Sequence, residues 1–233
     1  MSSHQLHVFS AGAVAPPLQE AVAAFERLNG VVVRFTAGKP ENLLKSIALT
    51  RSGDVVSSGA EYVHDEAEDR GLLVPGTRRS LGLRRSVIIV PEGNPRGIKR
   101  LEDLAEPGVR VGTATSGCLK GVWDDVCSKA GLIEAIRPRI VEHADACGSL
   151  MGLIHEGRVD AVFGWNAFKN LWPDTCDAVE LPRDIQVFRS TAVQVVTYTK
   201  DGALACELID FLVSPEGRRI YSEHGWLHKP TSC

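Results

Sequence analysis

The sequence predicts an α/β fold of two lobes, each a mostly parallel sheet flanked by helices. Short runs rich in β-branched residues alternate along the chain with runs of helical periodicity, which is typical of parallel α/β folds. This alternation divides at about residue 85 and returns at about residue 193. We therefore expect lobe 1 to comprise residues 1–85 and 194–233 and lobe 2 to comprise residues 86–193. Two crossing strands would join the lobes, with a ligand cleft between them.

Lobe 1 begins with three strand–helix pairs. The predicted strands are LHVFSA, VVVRFTA and DVVSSG, and the predicted helices are PPLQEAVAAFERLNG, PENLLKSIALTRSG and AEYVHDEAEDRGLL. Pro16 and Pro17 fit the first turn of the first helix and Gly30 fits its end. Two C-terminal helices, ALACELIDFLVS and PEGRRIYSEHGW, are expected to pack back on this lobe.

Lobe 2 continues the alternation. The predicted strands are SVIIVPEGNPRGI, VRVGTA, RIVEHA, VDAVFGW and AVELP, and the predicted helices are KRLEDLAEPG, KGVWDDVCSKAGLIEAI and ACGSLMGLIHEGR. The segment around NLWPDTC is predicted to be a loop. The long run DIQVFRSTAVQVVTYT then leads back to lobe 1 as a crossing strand.

Composition narrows the function classes. The 233 residues carry a formal net charge of −3, so the chain lacks the basic surplus of a general nucleic-acid binder. Its longest apolar runs have the length of strands and are too short to span a membrane. The start, MSSHQLHVFSAG, lacks the pattern of a signal peptide, so we expect either a cytoplasmic protein or a trimmed mature form.

The six cysteines show no metal-binding spacing. They are scattered, without a CxxC pair, so no metal site is expected, and no other cofactor is expected either. An even number permits disulfides in an exported protein, whereas the simpler interpretation is that most are small buried residues. They stand at positions 118, 127, 147, 176, 206 and 233.

A recurring loop design indicates anion binding. Five predicted strands are each followed by small and hydroxylated residues and then by a helix. Small residues let backbone N–H groups approach a ligand closely, and the N–H groups at a helix start favour an anion. The same residues also serve as ordinary helix caps and turns. The five loops are SAGAVAP, TAGKPEN, SSGAE, TATSGCLKG and DACGS.

The segment GTATSGCLKGVW at residues 112–123 has features of a nucleotide-binding P-loop and of a nucleophilic cysteine site, but it does not match the full motif of either. A P-loop needs Lys and Ser or Thr directly after its second glycine, but Cys118 and Leu119 follow Gly117. Cys118 near a helix start and beside Lys120 could have a lowered thiol pKa and act as a nucleophile. However, no histidine is tied to it by a motif. Lys120 is either a solvated lysine or a charge partner for a bound anion.

Other polar residues stand at strand ends or in the crossing run. Lys39 follows TAG and is either a turn lysine or an anion ligand. Arg189 lies in the predicted crossing strand, where it could bind the anion or form a salt bridge at the hinge. Asn166 and Trp165 follow an apolar strand. Asn166 could hydrogen-bond a ligand oxygen or cap the loop, and Trp165 could exclude water or belong to the core.

The order of these blocks resembles a known family. LHVFSAGAVAPPLQEAVAAFE, VRFTAG, GDVVSSGAEYV, GNPRGIKRLEDL, GVWDD, WNAF, VFRST and SPEGRRIYSEHGW occur in the order found in periplasmic solute-binding proteins of the molybdate-binding type. They are closer still to the accessory colonization factor C branch. The resemblance runs from about Leu6 to Trp226. It implies the type II periplasmic-binding fold, closing on a small anion such as molybdate, tungstate or sulfate.

The resemblance also implies which residues bind the ligand. They belong to the loops after the strands of both lobes and to the crossing strand. The set is Ser10, Gly12, Ala13, Thr36, Gly38, Lys39, Ser57, Ser58, Gly59, Lys120, Gly121, Cys147, Asn166 and Arg189.

The sequence departs from the molybdate pattern at the ligand loops. Molybdate binders commonly have a serine where Ala13 stands and a tyrosine near Phe163, and the second loop has Gly38 and Lys39 in place of a serine. A cage with one or two cations instead of neutral hydroxyls points to another anion, a carboxylate or a different oxyanion. Anion binding itself is retained because the helix starts are present.

The resemblance predicts a receptor that delivers its ligand to an ABC-type permease in the membrane, working as a monomer in the periplasm or another extracytoplasmic compartment. Two alternatives remain. One is an enzyme on the same scaffold with Cys118 as nucleophile, which needs a base within hydrogen-bond reach of the thiol. The other is the effector-binding domain of a transcription regulator, which would require a helix-turn-helix segment before residue 6.

Overall fold

A computed structural model describes residues 5–228 and resolves the chain into two compact units. Unit 1 comprises residues 5–83 and 189–228, and unit 2 comprises residues 84–188. Each unit has its own sheet and buried apolar side chains. The two units are described separately, and the cleft between the lobes stays a prediction.

The described residues form nine strands and nine α-helices. The strands are β1 Gln5–Ala11, β2 Val32–Gly38, β3 Val55–Ser58, β4 Arg79–Pro91, β5 Val111–Ala114, β6 Ile140–Ala144, β7 Ala161–Trp165, β8 Cys176–Val179 and β9 Phe188–Val195. The helices are α1 Ala15–Asn29, α2 Pro40–Thr50, α3 Glu61–Asp69, α4 Val122–Lys129, α5 Ile133–Ile136, α6 Cys147–His155, α7 Phe168–Leu171, α8 Gly202–Val213 and α9 Pro215–Glu223.

The sheet of unit 1 has the order β2-β1-β3-β9. Strand β1 pairs in parallel with β2 and β3, and β9 pairs antiparallel with β3. The central strand β3 is buried along its whole length, whereas the edge strand β2 is partly exposed. Helices α1, α8 and α9 pack together, so the C-terminal helices belong to this unit.

The sheet of unit 2 is mixed. Strand β5 pairs in parallel with β6 and β7, and β4 pairs antiparallel with β7 and β8. The central strands β5 and β7 are buried throughout, as expected for strands covered on both faces. The predicted α/β class is therefore confirmed.

Several local predictions are confirmed. Helix α1 has proline in its first turn and ends at Gly30, whose φ of 64° is in the left-handed region that favours glycine. The Gly-Asn-Pro turn after β4 is closed by Asn94, whose side chain bonds both the N–H and the carbonyl of Ile98.

The predicted start of β4 was wrong. The strand begins at Arg79, seven residues before the predicted Ser86. The charged stretch before Ser86 does not look like a strand, because arginine normally marks an exposed position. Arg84 is instead only 1% exposed, so a charged residue occupies a core position of this strand.

The predicted helix over residues 120–136 was also wrong, since the structure breaks it into α4 and α5. The interruption is at Gly131, whose φ of 69° cannot continue a right-handed helix. The segment KRLEDLAEPG contains a 3₁₀ helix at Leu101–Ala105, and the predicted loop near NLWPDTC contains the single turn of α7. The crossing run is a strand only over β9.

Candidate functional site

The loops of unit 1 place the predicted hydroxyl groups at the carboxyl ends of neighbouring strands. Ser10 on β1 is in register with Ser57 on β3, and Ala11 is in register with Gly38 on β2. The structure therefore brings together residues that are up to 47 positions apart in the sequence. Gly12 and Ala13 follow directly in a short 3₁₀ turn.

The hydrogen bonds of these hydroxyls distinguish their roles. Ser10 and Ser57 donate their hydrogens to the carbonyls of Ala11 and Ala192, over 3.2 and 2.9 Å, and this leaves them only acceptor capacity. Ser58 instead accepts the Ala60 N–H over 3.2 Å and keeps its own hydrogen for donation. An anion needs donors, so Ser58 is the best suited of the three serines.

The second loop contributes a hydroxyl and a cation. Thr36 Oγ1 hydrogen-bonds His7 Nε2 over 2.9 Å, so this hydroxyl already takes part in the fold of unit 1. Lys39 is exposed and occupies the N-cap position of α2. Gly59 is buried in the bend that leads from β3 to α3.

The helix starts differ in how they are capped. Among helices of eight or more residues between positions 5 and 228, those that follow a strand-end loop have no N-cap side chain that accepts from their first turn. Ser58 and Ser149 do accept the N–H groups of the N-cap residues of α3 and α6 themselves. Helices α8 and α9 are capped by Asp201, which accepts from the Leu204 N–H, and by Ser214, which accepts from the Gly217 N–H. The loop helices thus present backbone donors at their starts.

In unit 2, the loop after β5 contains a tight glycine turn. Cys118 lies in a 3₁₀ turn at Gly117–Leu119, Lys120 is exposed, and Gly121 is the N-cap of α4. Gly117 and Gly121 have φ values of 67° and 76°, a conformation that favours glycine.

Strand pairing brings this loop to the start of α6. Ala114 at the end of β5 is in register with Ala144 at the end of β6. The two following loops therefore meet, and Cys118 Sγ lies 3.3 Å from Sγ of Cys147, the first residue of α6.

A buried cation and an indole complete the contacts of Cys118. Arg84 Nη1 donates to Cys118 Sγ over 3.3 Å, and Trp165 Nε1 donates to the same atom over 3.2 Å. The Arg84 guanidinium lies 4.9 Å from the centre of the Trp165 ring, within the range of a cation–π contact. Both side chains are fully buried.

These contacts favour the thiolate of Cys118. The hydrogen bond from Cys147 is the largest influence, and together with the charge of Arg84 and the two N–H donors it outweighs burial and lowers the pKa of Cys118 to about 5. The same interaction and burial hold the pKa of Cys147 well above its ordinary value. A negative charge on this pair is therefore favoured on Cys118 over Cys147.

The last two predicted residues lie in different units. In unit 2, Asn166 follows β7, and its Oδ1 accepts the Arg85 N–H over 2.9 Å while its own N–H donates to the Arg85 carbonyl. Asn166 thus links the loop after β7 to β4 through two hydrogen bonds with the backbone of Arg85. Arg189 is half-buried in β9 of unit 1.

Sequence reasoning missed Arg84 and did not pair Cys118 with Cys147. Nothing in the local sequence marks Arg84 as buried. The contact between the two cysteines could have been predicted from their spacing, because each stands three or four residues after a strand and the two strands pair in parallel. Over the described stretch, no group of three or more His, Cys, Asp or Glu is arranged to hold a metal ion. None of the helices within residues 5–228 is long and apolar enough to cross a membrane.

Comparison with known proteins gives the family. The profile described as bacterial extracellular solute-binding protein matches residues 6–227. The chain belongs to this family. Two solved periplasmic or molybdate-related binding proteins, from Clostridium difficile and Azotobacter vinelandii, have a TM-score of 0.78 to this chain at 17% and 18% identity, which confirms the predicted type II periplasmic-binding fold.

Individual relatives of this solute-binding protein are named for their ligands. A sulfate-binding protein of Synechococcus elongatus is 32% identical over 127 residues, covering 48% of this chain and 36% of its own length. The chain thus matches about a third of that relative. The molybdate-binding protein ModA of Mycobacterium tuberculosis is 25% identical over 225 residues, covering 94% of this chain and 83% of its own.

A solved structure of PEB3 with bound L-phospholactate has a TM-score of 0.85 to this solute-binding protein. It is 23% identical and covers 96% of this chain and 100% of its own. PEB3 of Campylobacter jejuni has also been solved separately, with a TM-score of 0.84. This likeness establishes the fold.

Proposed function

We propose that this solute-binding protein is the receptor of an ABC-type importer and binds a small oxyanion. Sulfate, molybdate and L-phospholactate, the ligands in the names of its relatives and neighbour, are all oxygen-rich anions. Family membership also supports delivery of the ligand to a membrane permease and a location outside the cytoplasm. The names of these relatives describe binding, which favours a receptor over an enzyme.

The uncapped helix starts carry the proposal. The helices that follow the strand-end loops have no N-cap side chain that accepts from their first turn, whereas α8 and α9 each have one. An anion satisfies such N–H groups and interacts favourably with the helix dipole. Each charge-assisted hydrogen bond contributes roughly 1.5–3 kcal/mol, so a few of them support micromolar binding.

We assign specific donors to the two units. In unit 1 they are the Ser58 hydroxyl, the backbone around Gly38 and Gly59, and the Lys39 ammonium. In unit 2 they are the backbone at Gly121, the start of α6 and the Lys120 ammonium. The cations distinguish this set from a cage of neutral hydroxyls and favour an anion that carries a localised charge, such as a phosphate ester or carboxylate.

A thermal-shift screen on dialysed protein tests the proposal. Molybdate, tungstate, sulfate, phosphate, L-phospholactate and simple carboxylates are added separately at 1,000 times an assumed dissociation constant of about 1 μM. A ligand that binds only the folded state raises the free energy of unfolding by about 4 kcal/mol under these conditions and raises Tm by several degrees. No shift with any of these anions, on protein shown to be folded and ligand-free, would refute oxyanion binding.

Matched lysine variants then test the assigned donors. We expect Lys39→Ala and Lys120→Ala each to weaken the binding of the best anion about tenfold, equivalent to about 1.4 kcal/mol. Lys45→Ala, within α2, and Lys99→Ala in unit 2 remove the same charge at other exposed positions, and both variants should bind like the wild type. Equal losses in all four variants, measured by calorimetry, would show only a general charge effect.

A further inference from the structure

We propose that Cys118 and Cys147 form a modification site, a dithiol that closes reversibly to a disulfide by exchange with a small-molecule disulfide. Cys118 is the attacking residue and Cys147 the resolving residue. This proposal is independent of the identity of the solute.

The geometry places the two sulfurs close to bonding distance. The Sγ atoms are 3.3 Å apart, and a disulfide needs about 2.05 Å, so they have to approach by about 1.2 Å. Cys118 lies in the 3₁₀ turn after β5 and Cys147 begins α6 after β6, and the pairing of β5 with β6 holds these segments side by side. Closing the bond therefore requires local side-chain and loop adjustment while the sheet stays intact.

The surroundings make Cys118 the attacking thiolate. Arg84, which is 1% exposed, and Trp165 each direct an N–H group at Cys118 Sγ. The buried guanidinium compensates the negative charge on sulfur, and the low pKa of Cys118 agrees with this geometry. Cys118 is also partly exposed, whereas Cys147 is buried. A disulfide arriving from solvent therefore meets Cys118 first.

The exchange proceeds in two balanced steps. The Cys118 thiolate attacks one sulfur of the small disulfide, which forms a mixed disulfide and releases one thiolate. The Cys147 thiol then gives its proton to that thiolate or to water and attacks Cys118 Sγ, which releases the second thiolate. The two protein sulfurs are oxidised, and the small disulfide is reduced to one thiol and one thiolate, which is then protonated from water.

Two other cysteines of unit 2 lack these features. Burial raises the pKa of Cys127 to about 12 and that of Cys176 to about 11. Buried thiols of this kind are unreactive. Reactivity is therefore expected at one pair, which gives the experiment internal controls.

The test uses a reference protein with Cys206→Ser and Cys233→Ser. Cys206 is exposed and would add background reaction, and Cys233 lies outside the described residues. After incubation with glutathione disulfide at pH 7, we expect the intact mass to fall by two hydrogens and peptide mapping to show a Cys118–Cys147 cross-link. Dithiothreitol should restore the reduced mass.

Single variants separate the two roles. In the reference protein, Cys147→Ser should stop the reaction at one glutathione adduct on Cys118, and Cys118→Ser should leave Cys147 unmodified. Trp165→Phe keeps an aromatic ring and removes one N–H donor, so the pH midpoint of Cys118 alkylation by iodoacetamide should move upward. No cross-link in folded reference protein under excess glutathione disulfide, or a first adduct on Cys147, would overturn the proposal.

Discussion

At the scale of single residues, His64 is a buried base whose protonation opposes folding. It is 1% exposed in unit 1, and its Nδ1 lies 3.1 Å from Gln194 Oε1, which also accepts from Arg78 Nε. Because the Gln194 Nε2 donates to Glu68, Gln194 Oε1 is the acceptor and His64 Nδ1 carries the hydrogen. Nε2 is buried and, among the described residues, has no hydrogen-bond partner.

Burial lowers the pKa of His64 to about 4, and Arg78 adds to this effect, whereas Gln194, Asp65 and Glu68 oppose it. In the unfolded chain the group has its ordinary pKa of 6.5. As the pH falls from 6.5 to 4, His64 becomes protonated in the unfolded state but stays neutral in the native state. The free energy of unfolding therefore decreases across this pH range. The full difference corresponds to roughly 3 kcal/mol.

We predict that His64→Leu flattens the pH dependence of stability. Urea unfolding at pH 7 and pH 4.5 should show a smaller loss of unfolding free energy in the variant than in the wild type, because leucine has no proton to gain. His155→Gln changes an exposed histidine of α6 and should retain the wild-type dependence. Identical pH dependence in His64→Leu and the wild type would contradict the assignment.

At the scale of elements, the contact between α8 and α9 depends on a glycine. Gly217 lies in the first turn of α9 against the backbone at the end of α8. A Cβ at this position would lie 2.5 Å from the Phe211 carbonyl oxygen and closer still to that of Leu212. These are backbone atoms that also end a helix, so they cannot rotate away as a side chain does.

We predict that Gly217→Ala destabilises the protein by roughly 2–4 kcal/mol, although alanine normally favours helix. Gly202→Ala, in the first turn of α8, meets only Thr199 at an ordinary 3.8 Å and should be neutral or slightly stabilising. Chemical denaturation of both variants gives the comparison. A stable Gly217→Ala protein would mean that α9 can shift away from α8 at little cost.

At the scale of the whole molecule, the dithiol and the solute are expected to influence one another. The Cys118 thiolate places a negative charge beside Arg84, in a loop that we assign to anion binding. Oxidation to the disulfide removes this charge and leaves the charge of Arg84. We therefore expect an anion to bind the oxidised state more tightly, since like charges repel over short distances in a poorly hydrated site.

We predict that the disulfide form and the Cys118→Ser variant bind the best anion at least fivefold more tightly than the reduced protein, equivalent to about 1 kcal/mol. Calorimetry on fully reduced and fully oxidised samples measures this. Cys127→Ser removes a neutral thiol and serves as the control. Equal binding in both redox states would reject the coupling while retaining the receptor function, and no binding in either state would reject the receptor function.

Much of the fold was predictable because it depends on local periodicity. The strand–helix pairs of unit 1 are predicted by alternating apolar patterns and by residues that start or end a helix, such as Pro16, Pro17 and Gly30. The break at Gly131 was less predictable, because an isolated glycine in a helical pattern is often tolerated. The loops were predictable as small and polar, but their hydrogen bonds were not.

The α/β class, the family resemblance and the positions of the strand-end loops can be read from residue order and spacing along the chain. The burial of Arg84, the different capacity of Ser58 from that of Ser10 and Ser57 to donate, and the contact of Cys118 with Cys147 became visible only in the folded chain. These features depend on which strands become neighbours, and strand pairing joins residues far apart in the sequence through contacts that no local pattern records.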